Sequence, residues 1–212
     1  MDPLIADYLD HIEESHAAAS YVSDMGALAN AFGIRFGIGA VSIATPDGEV
    51  VVRRSGDRRQ RRADAAHEIV HQLSDLGQYT EAIHYHHASV PDMHAHIEAL
   101  TDHGADLLLM PTLLVREVIG EYGDTARAVW ELSQAADVSP ELALRRMAFL
   151  TLDQRRAGFL ATGSYITYSS ANCYSPFWPG GRLPEPHIAL EGVSLFRLPS
   201  RRNQTIGFLA CE

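Results

Sequence analysis

The segment His67-Glu68-Ile69-Val70-His71 constrains the fold more strongly than any other part of the chain. Its two histidines are four residues apart, and this spacing places both imidazoles on one face of an α-helix. Both rings can then offer a nitrogen to the same zinc ion at ~2.0–2.1 Å. Glu68 follows about 100° further around the helix, near enough to reach a water beside the metal. The segment therefore predicts a helix over residues 59–75 that holds a metal.

A catalytic zinc site needs a third protein ligand and one position left open for water. Glu98 offers a carboxylate on a second predicted helix, residues 92–110, which ends before Pro111 because proline is poorly tolerated in a helix interior. Asp102 lies one turn further on the same face, where it can accept a hydrogen bond from a liganding imidazole. The predicted metal ligands are His67, His71 and Glu98.

Glu68 is the predicted general base. Zinc lowers the pKa of a bound water to about 7, and the carboxylate takes the proton as the water attacks a peptide carbonyl. The expected cofactor is Zn²⁺, with another divalent ion such as Mn²⁺ as the alternative.

Other side chains near the two helices are candidates for lining a substrate cleft. They are His94, Tyr85 and His86. Residues 77–92 are rich in polar residues and histidine, so a loop is predicted there, with room for a short strand. The alternative interpretation is an ordinary polar loop followed by a helix start.

The period of the apolar residues predicts further elements. Alternation predicts one strand over residues 34–44, a turn at 46–48 and a hairpin partner over 49–53. Helices are predicted over residues 2–19, 24–32, 112–121, 125–136 and 140–152, the last with Ser139 as N-cap and Pro140 as its first residue. Strands are predicted over residues 162–169, 188–198 and 205–211.

The two motifs resemble those of the ImmA/IrrE metallopeptidases, in which an HExxH is followed by a helix of the type E-x-x-A-N/D-x-F-A-x-x-L-L-M-P. Residues 98–111 of this chain read EALTDHGADLLLMP, and the resemblance covers roughly residues 20–152. It implies a zincin-like domain that cleaves a helix-turn-helix repressor, often of the XRE type, at a specific site. Val70, Thr101 and Gly104 stand where the family has Gly, Ala and Phe, changes that concern packing and leave the ligands untouched.

These patterns together predict an α+β fold in three parts. Residues 1–111 form the zincin-like metallopeptidase domain with a small mixed sheet, 112–155 a helical extension resembling a helix-turn-helix, and 156–212 a β-rich C-terminal segment.

The formal net charge of −10 disfavours nucleic acid as a partner, because affinity for phosphate comes mainly from surplus basic residues. Six arginines within residues 53–62 are a local exception, interpreted either as a solvated turn or as a docking patch for an acidic partner. No apolar run approaches the roughly 18 residues that span a bilayer, and the N-terminus lacks the features of a signal peptide. A cytoplasmic protein without membrane contact is expected.

Two alternatives to the protease remain open. Residues 125–151 allow a DNA-binding helix-turn-helix, although acidic side chains outnumber arginines over residues 112–152. The other alternative is a catalytically inactive sensor that keeps the zincin fold and binds a ligand through its C-terminal segment.

Overall fold

The computed structural model of the protein describes residues 2–151, 154–175, 177–183, 192–199, 201 and 203–211. Two compact units divide the chain, Met1–Pro111 and Thr112–Glu212. Both combine helices with a sheet, so the predicted α+β class is confirmed. Among the described residues, no helix has the length and apolarity needed to cross a membrane.

The first unit contains five helices and three strands among its described residues. The helices are α1 (Pro3–Ala18), α2 (Met25–Ala31), α3 (Arg58–Leu76), α4 (Tyr79–His86) and α5 (Met93–Leu109), and the strands are β1 (Arg35–Gly39), β2 (Ile43–Thr45) and β3 (Glu49–Arg53). An aspartate side chain caps the N-terminus of four of these helices by accepting hydrogen bonds from first-turn amides. Such caps satisfy amides that lack a partner within the helix, and they mark where each helix begins.

The sheet of the first unit is mixed, with β3 between β1 and β2. The prediction of a single strand over residues 34–44 is wrong, because the chain crosses the end of β3 there. β1 pairs parallel with β3, and β2 returns on the other side as its antiparallel hairpin partner. Hydrogen bonds at the crossing explain the break: the Arg54 amide donates to the Gly39 carbonyl, and the Arg53 amide donates to the Ser42 hydroxyl.

The prediction of a loop over residues 77–92 is also wrong, because α4 occupies the middle of that segment. Ile83 is buried at 2% exposure and anchors the helix to the core. The Tyr79 hydroxyl donates to the Asp7 carbonyl, which ties the start of α4 to α1. Tertiary burial thus stabilises a short helix whose polar composition does not favour one.

The second unit places three helices against a four-stranded antiparallel sheet. The helices are α6 (Thr112–Tyr122), α7 (Ala126–Ala135) and α8 (Pro140–Ala148), and the strands are β4 (Arg155–Thr162), β5 (Tyr165–Ala171), β6 (Ser194–Arg197) and β7 (Gln204–Cys211) in the order β5-β4-β7-β6. Ser139 caps α8 and Pro140 begins it, as predicted.

Two strand predictions in this unit need correction. The strand predicted over residues 162–169 is split by a turn at Gly163, whose φ of 61° favours glycine, and β4 and β5 pair as a hairpin around it. Of the strand predicted over 188–198, residues 188–191 lie outside the described part, and β6 covers residues 194–197 of the remainder. The strand predicted over 205–211 is confirmed as β7.

Candidate metal centre

Helices α3 and α5 bring three candidate ligands together within the first unit. His67 Nε2 lies 3.2 Å from His71 Nε2 and 3.2 Å from Glu98 Oε2. His71 Nε2 lies 3.5 Å from Glu98 Oε1. One ligand atom from each residue can therefore be chosen so that all three lie within 4.8 Å of one another. The side chains are 24–38% exposed, so the cluster is accessible from solvent.

The spacing of these atoms fits a tetrahedral metal ion. Two ligands at ~2.0–2.1 Å from a tetrahedral zinc ion are about 3.3–3.4 Å apart. The two histidine Nε2 atoms are 3.2 Å apart, and each has a Glu98 oxygen at a similar distance, Oε2 at 3.2 Å from His67 and Oε1 at 3.5 Å from His71, so these separations are close to that value. Two imidazoles and one carboxylate are also a donor set that zinc accepts in catalytic sites, where a fourth position stays open.

Asp102 orients the ring of His67. Its Oδ1 lies 3.1 Å from His67 Nδ1, and donation by Nδ1–H leaves the lone pair of Nε2 directed at the other two candidate ligands. The hydrogen bond to Asp102 raises the pKa of His67, while partial burial opposes that change. At His71, burial lowers the pKa and the neighbouring His67 lowers it further, which favours the neutral imidazole that binds metals.

Glu68 lies beside the cluster on α3 and contacts the edge strand β2. Burial raises the pKa of Glu68, whereas the charge of His67 and a hydrogen bond donated by the Ala44 backbone amide lower it. The sequence contains no sign of this contact, because it depends on how β2 packs against α3.

The predicted cleft residues occupy different places. His94 lies on α5 with Nδ1 3.9 Å from Glu98 Oε1, and its side chain is 85% exposed. Tyr85 and His86 lie at the end of α4, where their rings pack edge to face on each other. A cleft role for these three side chains stays a prediction.

The contact between α3 and α5 sets the distance between the histidines and Glu98. Ser74 of α3 donates to the hydroxyl of the buried Tyr8, and Thr101 of α5 hydrogen bonds to the same hydroxyl. A Cβ atom on Gly104 would lie only 2.7 Å from Val70 Cγ1, so the missing side chain allows the two helices to approach. Gly104 and Val70 both differ from the ImmA/IrrE motifs, which have Phe and Gly at these positions, and the two residues pack against each other.

Comparisons with known proteins support a metallopeptidase relationship over part of the chain. The radiation response metalloprotease IrrE of Deinococcus deserti is 37% identical to this chain over 105 residues, which are 49% of this chain and 37% of that protein. The aligned part thus spans little more than a third of the relative. No protein-family model matches the chain.

A solved structure resembles the fold over nearly the whole chain. A Mycobacterium tuberculosis transcriptional regulator superposes with a TM-score of 0.61, covering 98% of this chain and 76% of that one. The sequence identity is 14%, so the likeness concerns the fold alone. The partial similarity to the IrrE metalloprotease and the candidate ligand cluster together support a relationship to the ImmA/IrrE metallopeptidases.

Proposed function

We propose that the protein is a zinc-dependent endopeptidase that cleaves a helix-turn-helix transcriptional repressor at a specific site. His67, His71 and Glu98 would hold the zinc ion, and Glu68 would act as general base. The observation that carries the proposal is that the two histidine Nε2 atoms lie 3.2 Å apart, each with a Glu98 oxygen within 3.5 Å, beside a half-buried glutamate. A structural zinc site would have four protein ligands, whereas three protein ligands leave one position for chemistry.

The residues around the cluster supply the steps of peptide hydrolysis. Zinc held by these three ligands would supply Lewis acidity and a water that is nucleophilic near neutral pH. Glu68 accepts the proton of the attacking water on its carboxylate and delivers it to the leaving amine. Asp102 holds the His67 ring with Nε2 directed at the metal position. His94, at the exposed edge of the cluster, is a candidate donor to the oxygen of the scissile carbonyl.

The substrate class is proposed from the resemblance to the ImmA/IrrE proteins, and the partial similarity to a radiation response metalloprotease supports the protease activity alone. We propose an XRE-type repressor, encoded beside this protein, as the substrate. The first unit has 111 residues, and little of that length is left to build an extended peptide cleft once the core is formed. A narrow range of targets is therefore expected.

Coexpression with the neighbouring repressor tests the proposal. The wild-type protein should convert the repressor into two discrete fragments, and Glu68→Gln should abolish cleavage while the metal content stays the same, because an amide cannot accept the proton. Glu81→Gln, an exposed glutamate of α4, is the matched control and should cut normally. Cleavage by Glu68→Gln at the wild-type rate would show that the base is misassigned. Absence of cleavage by the wild type would favour the inactive sensor.

A further inference from the structure

Three contacts join one face of α3 to the edge strand β2 and its approach. The Ser42 hydroxyl donates to Asp64 Oδ2 at 3.1 Å. Next along the strand, a hydrogen bond from the Ala44 backbone lowers the pKa of the Glu68 carboxyl. At the other end, Gln72 Nε2 donates to the Thr45 carbonyl at 2.9 Å.

The spacing of these contacts follows from the geometry of both elements. Asp64, Glu68 and Gln72 are four residues apart, so they share one face of the helix and span ~12 Å of its axis. Residues 42–45 of an extended chain span ~10 Å. The strand can therefore run along the helix with a hydrogen bond near each end and the catalytic glutamate between them.

Each of the two outer contacts gives a polar side chain a hydrogen-bond partner within the protein. Gln72 is 6% exposed, so its side-chain amide would be buried without a hydrogen-bond partner if the Thr45 carbonyl did not accept a hydrogen bond from it. Ser42 both donates to Asp64 and accepts from the Arg53 amide of β3, so it links the helix, the crossing segment and the sheet. Gln60 Nε2 in turn donates to Asp64 Oδ1 at 2.7 Å and holds that carboxylate in place.

We propose that Ser42, Asp64 and Gln72 are positioning residues that fasten β2 to α3 so that the Ala44 amide holds the Glu68 carboxylate in its catalytic orientation. The inference rests on the proposed function in so far as Glu68 is the general base. None of the three residues touches the substrate or the metal in this scheme. They act through β2, which among the described residues pairs with β3 alone and depends on the helix for support on the other edge.

Amide hydrogen exchange in the zinc-loaded chain of 212 residues tests the proposal without an activity assay. Gln72→Met keeps the length of the side chain but removes the donor, and Ser42→Ala removes the hydroxyl. Each should speed exchange of the Ala44 amide by about 3–10-fold, as expected for loss of one hydrogen bond. The Val50 amide of β3 should be unaffected. Ser42→Thr, which keeps a hydroxyl, should restore protection.

Kinetics of repressor cleavage provide the second measurement. Ser42→Ala and Gln72→Met should lower kcat by about 3–10-fold at unchanged KM and zinc content, and Gln134→Met in the second unit should behave as wild type. Unchanged exchange at Ala44 in both variants would overturn the proposal, as would faster exchange with normal kcat. If the wild-type protein cuts no repressor, the proposed function has failed, and a response of the Ala44 amide would still show that these residues fasten β2 to α3.

Discussion

The contact between Gly104 and Val70 predicts that a single added methyl group perturbs the metal centre. In Gly104→Ala the new Cβ would lie 2.7 Å from Val70 Cγ1, 3.3 Å from Val70 Cγ2 and 3.3 Å from the Tyr8 hydroxyl. Carbon atoms in favourable contact are ~3.5–4.0 Å apart, so α3 and α5 must separate by about 0.8 Å or the side chains must shift. Both Val70 and Tyr8 are almost completely buried and have little room to move.

Two opposing effects determine the free energy of unfolding of Gly104→Ala. Replacement of glycine by alanine inside a helix gains about 0.5–1 kcal/mol. Overpacking of a well-filled core costs about 1–3 kcal/mol. The variant should thus be destabilised by about 1 kcal/mol. In a Val70→Ala background the clash is gone, so Gly104→Ala should then stabilise, and the two substitutions should be coupled by about 1–3 kcal/mol.

The assay has to follow the first unit specifically. Both tryptophans, Trp130 and Trp178, lie in the second unit, so tryptophan fluorescence reports the wrong part of the chain. Amide hydrogen exchange over α3 and α5 gives the four free energies of the double-mutant cycle. Zinc affinity measured by chelator competition should fall with Gly104→Ala and recover in the double variant, because Glu98 lies on the displaced helix. A coupling below about 0.5 kcal/mol, or stabilisation by Gly104→Ala alone, would refute this reasoning.

Three further predictions concern the metal, the pH response and the second unit. Glu98→Ala should lose most of the bound metal, and Asp102→Asn should bind zinc about 10–100-fold more weakly in chelator competition; an Asp102→Asn affinity equal to wild type would show that this carboxylate does not orient His67. Burial lowers the pKa of His16 below its ordinary value of 6.5. The folded protein then binds fewer protons, so the stability contributed by neutral His16 is complete above about pH 6.5 and is lost as the pH falls below it. Thermal unfolding should show a smaller loss between pH 7.5 and 5 in His16→Gln than in wild type, and equal losses would count against the idea. Asp124→Ala leaves the buried Arg156 guanidinium without the carboxylate that pairs with it at 2.7 Å, and should lower the unfolding free energy of the second unit by about 3 kcal/mol in a denaturant titration followed by tryptophan fluorescence; a change under 1 kcal/mol would contradict it.

The positions of the long helices could be predicted because short-range features define them. Asp57 caps the start of α3, Ser139 caps α8, and Pro111 follows the end of α5. The hydrogen bonds involved join residues three or four apart, so the sequence alone contains both partners. The placement of the two imidazoles on one face is local in the same sense, because it depends only on the helical repeat.

Local composition was misleading where distant contacts decide the structure. The histidine-rich segment forms α4 because Ile83 is buried in the core. The sequence of the segment itself does not indicate that Ile83 will be buried there. The strand beginning at Arg35 ends at Gly39 because the chain crosses β3, and the hydrogen bonds that hold the crossing come from residues 53 and 54.

The sequence by itself determined which residues could serve the candidate metal centre and which helices carry them. Only the tertiary structure decided that Glu98 approaches His67 to 3.2 Å and that the Ala44 amide reaches Glu68. These contacts join residues that are 31 and 24 positions apart in the sequence, and their distances depend on how closely α3, α5 and β2 pack. Helical periodicity places a side chain on a face, whereas the small volume of Gly104 and the buried hydroxyl of Tyr8 set how near that face lies to its partner.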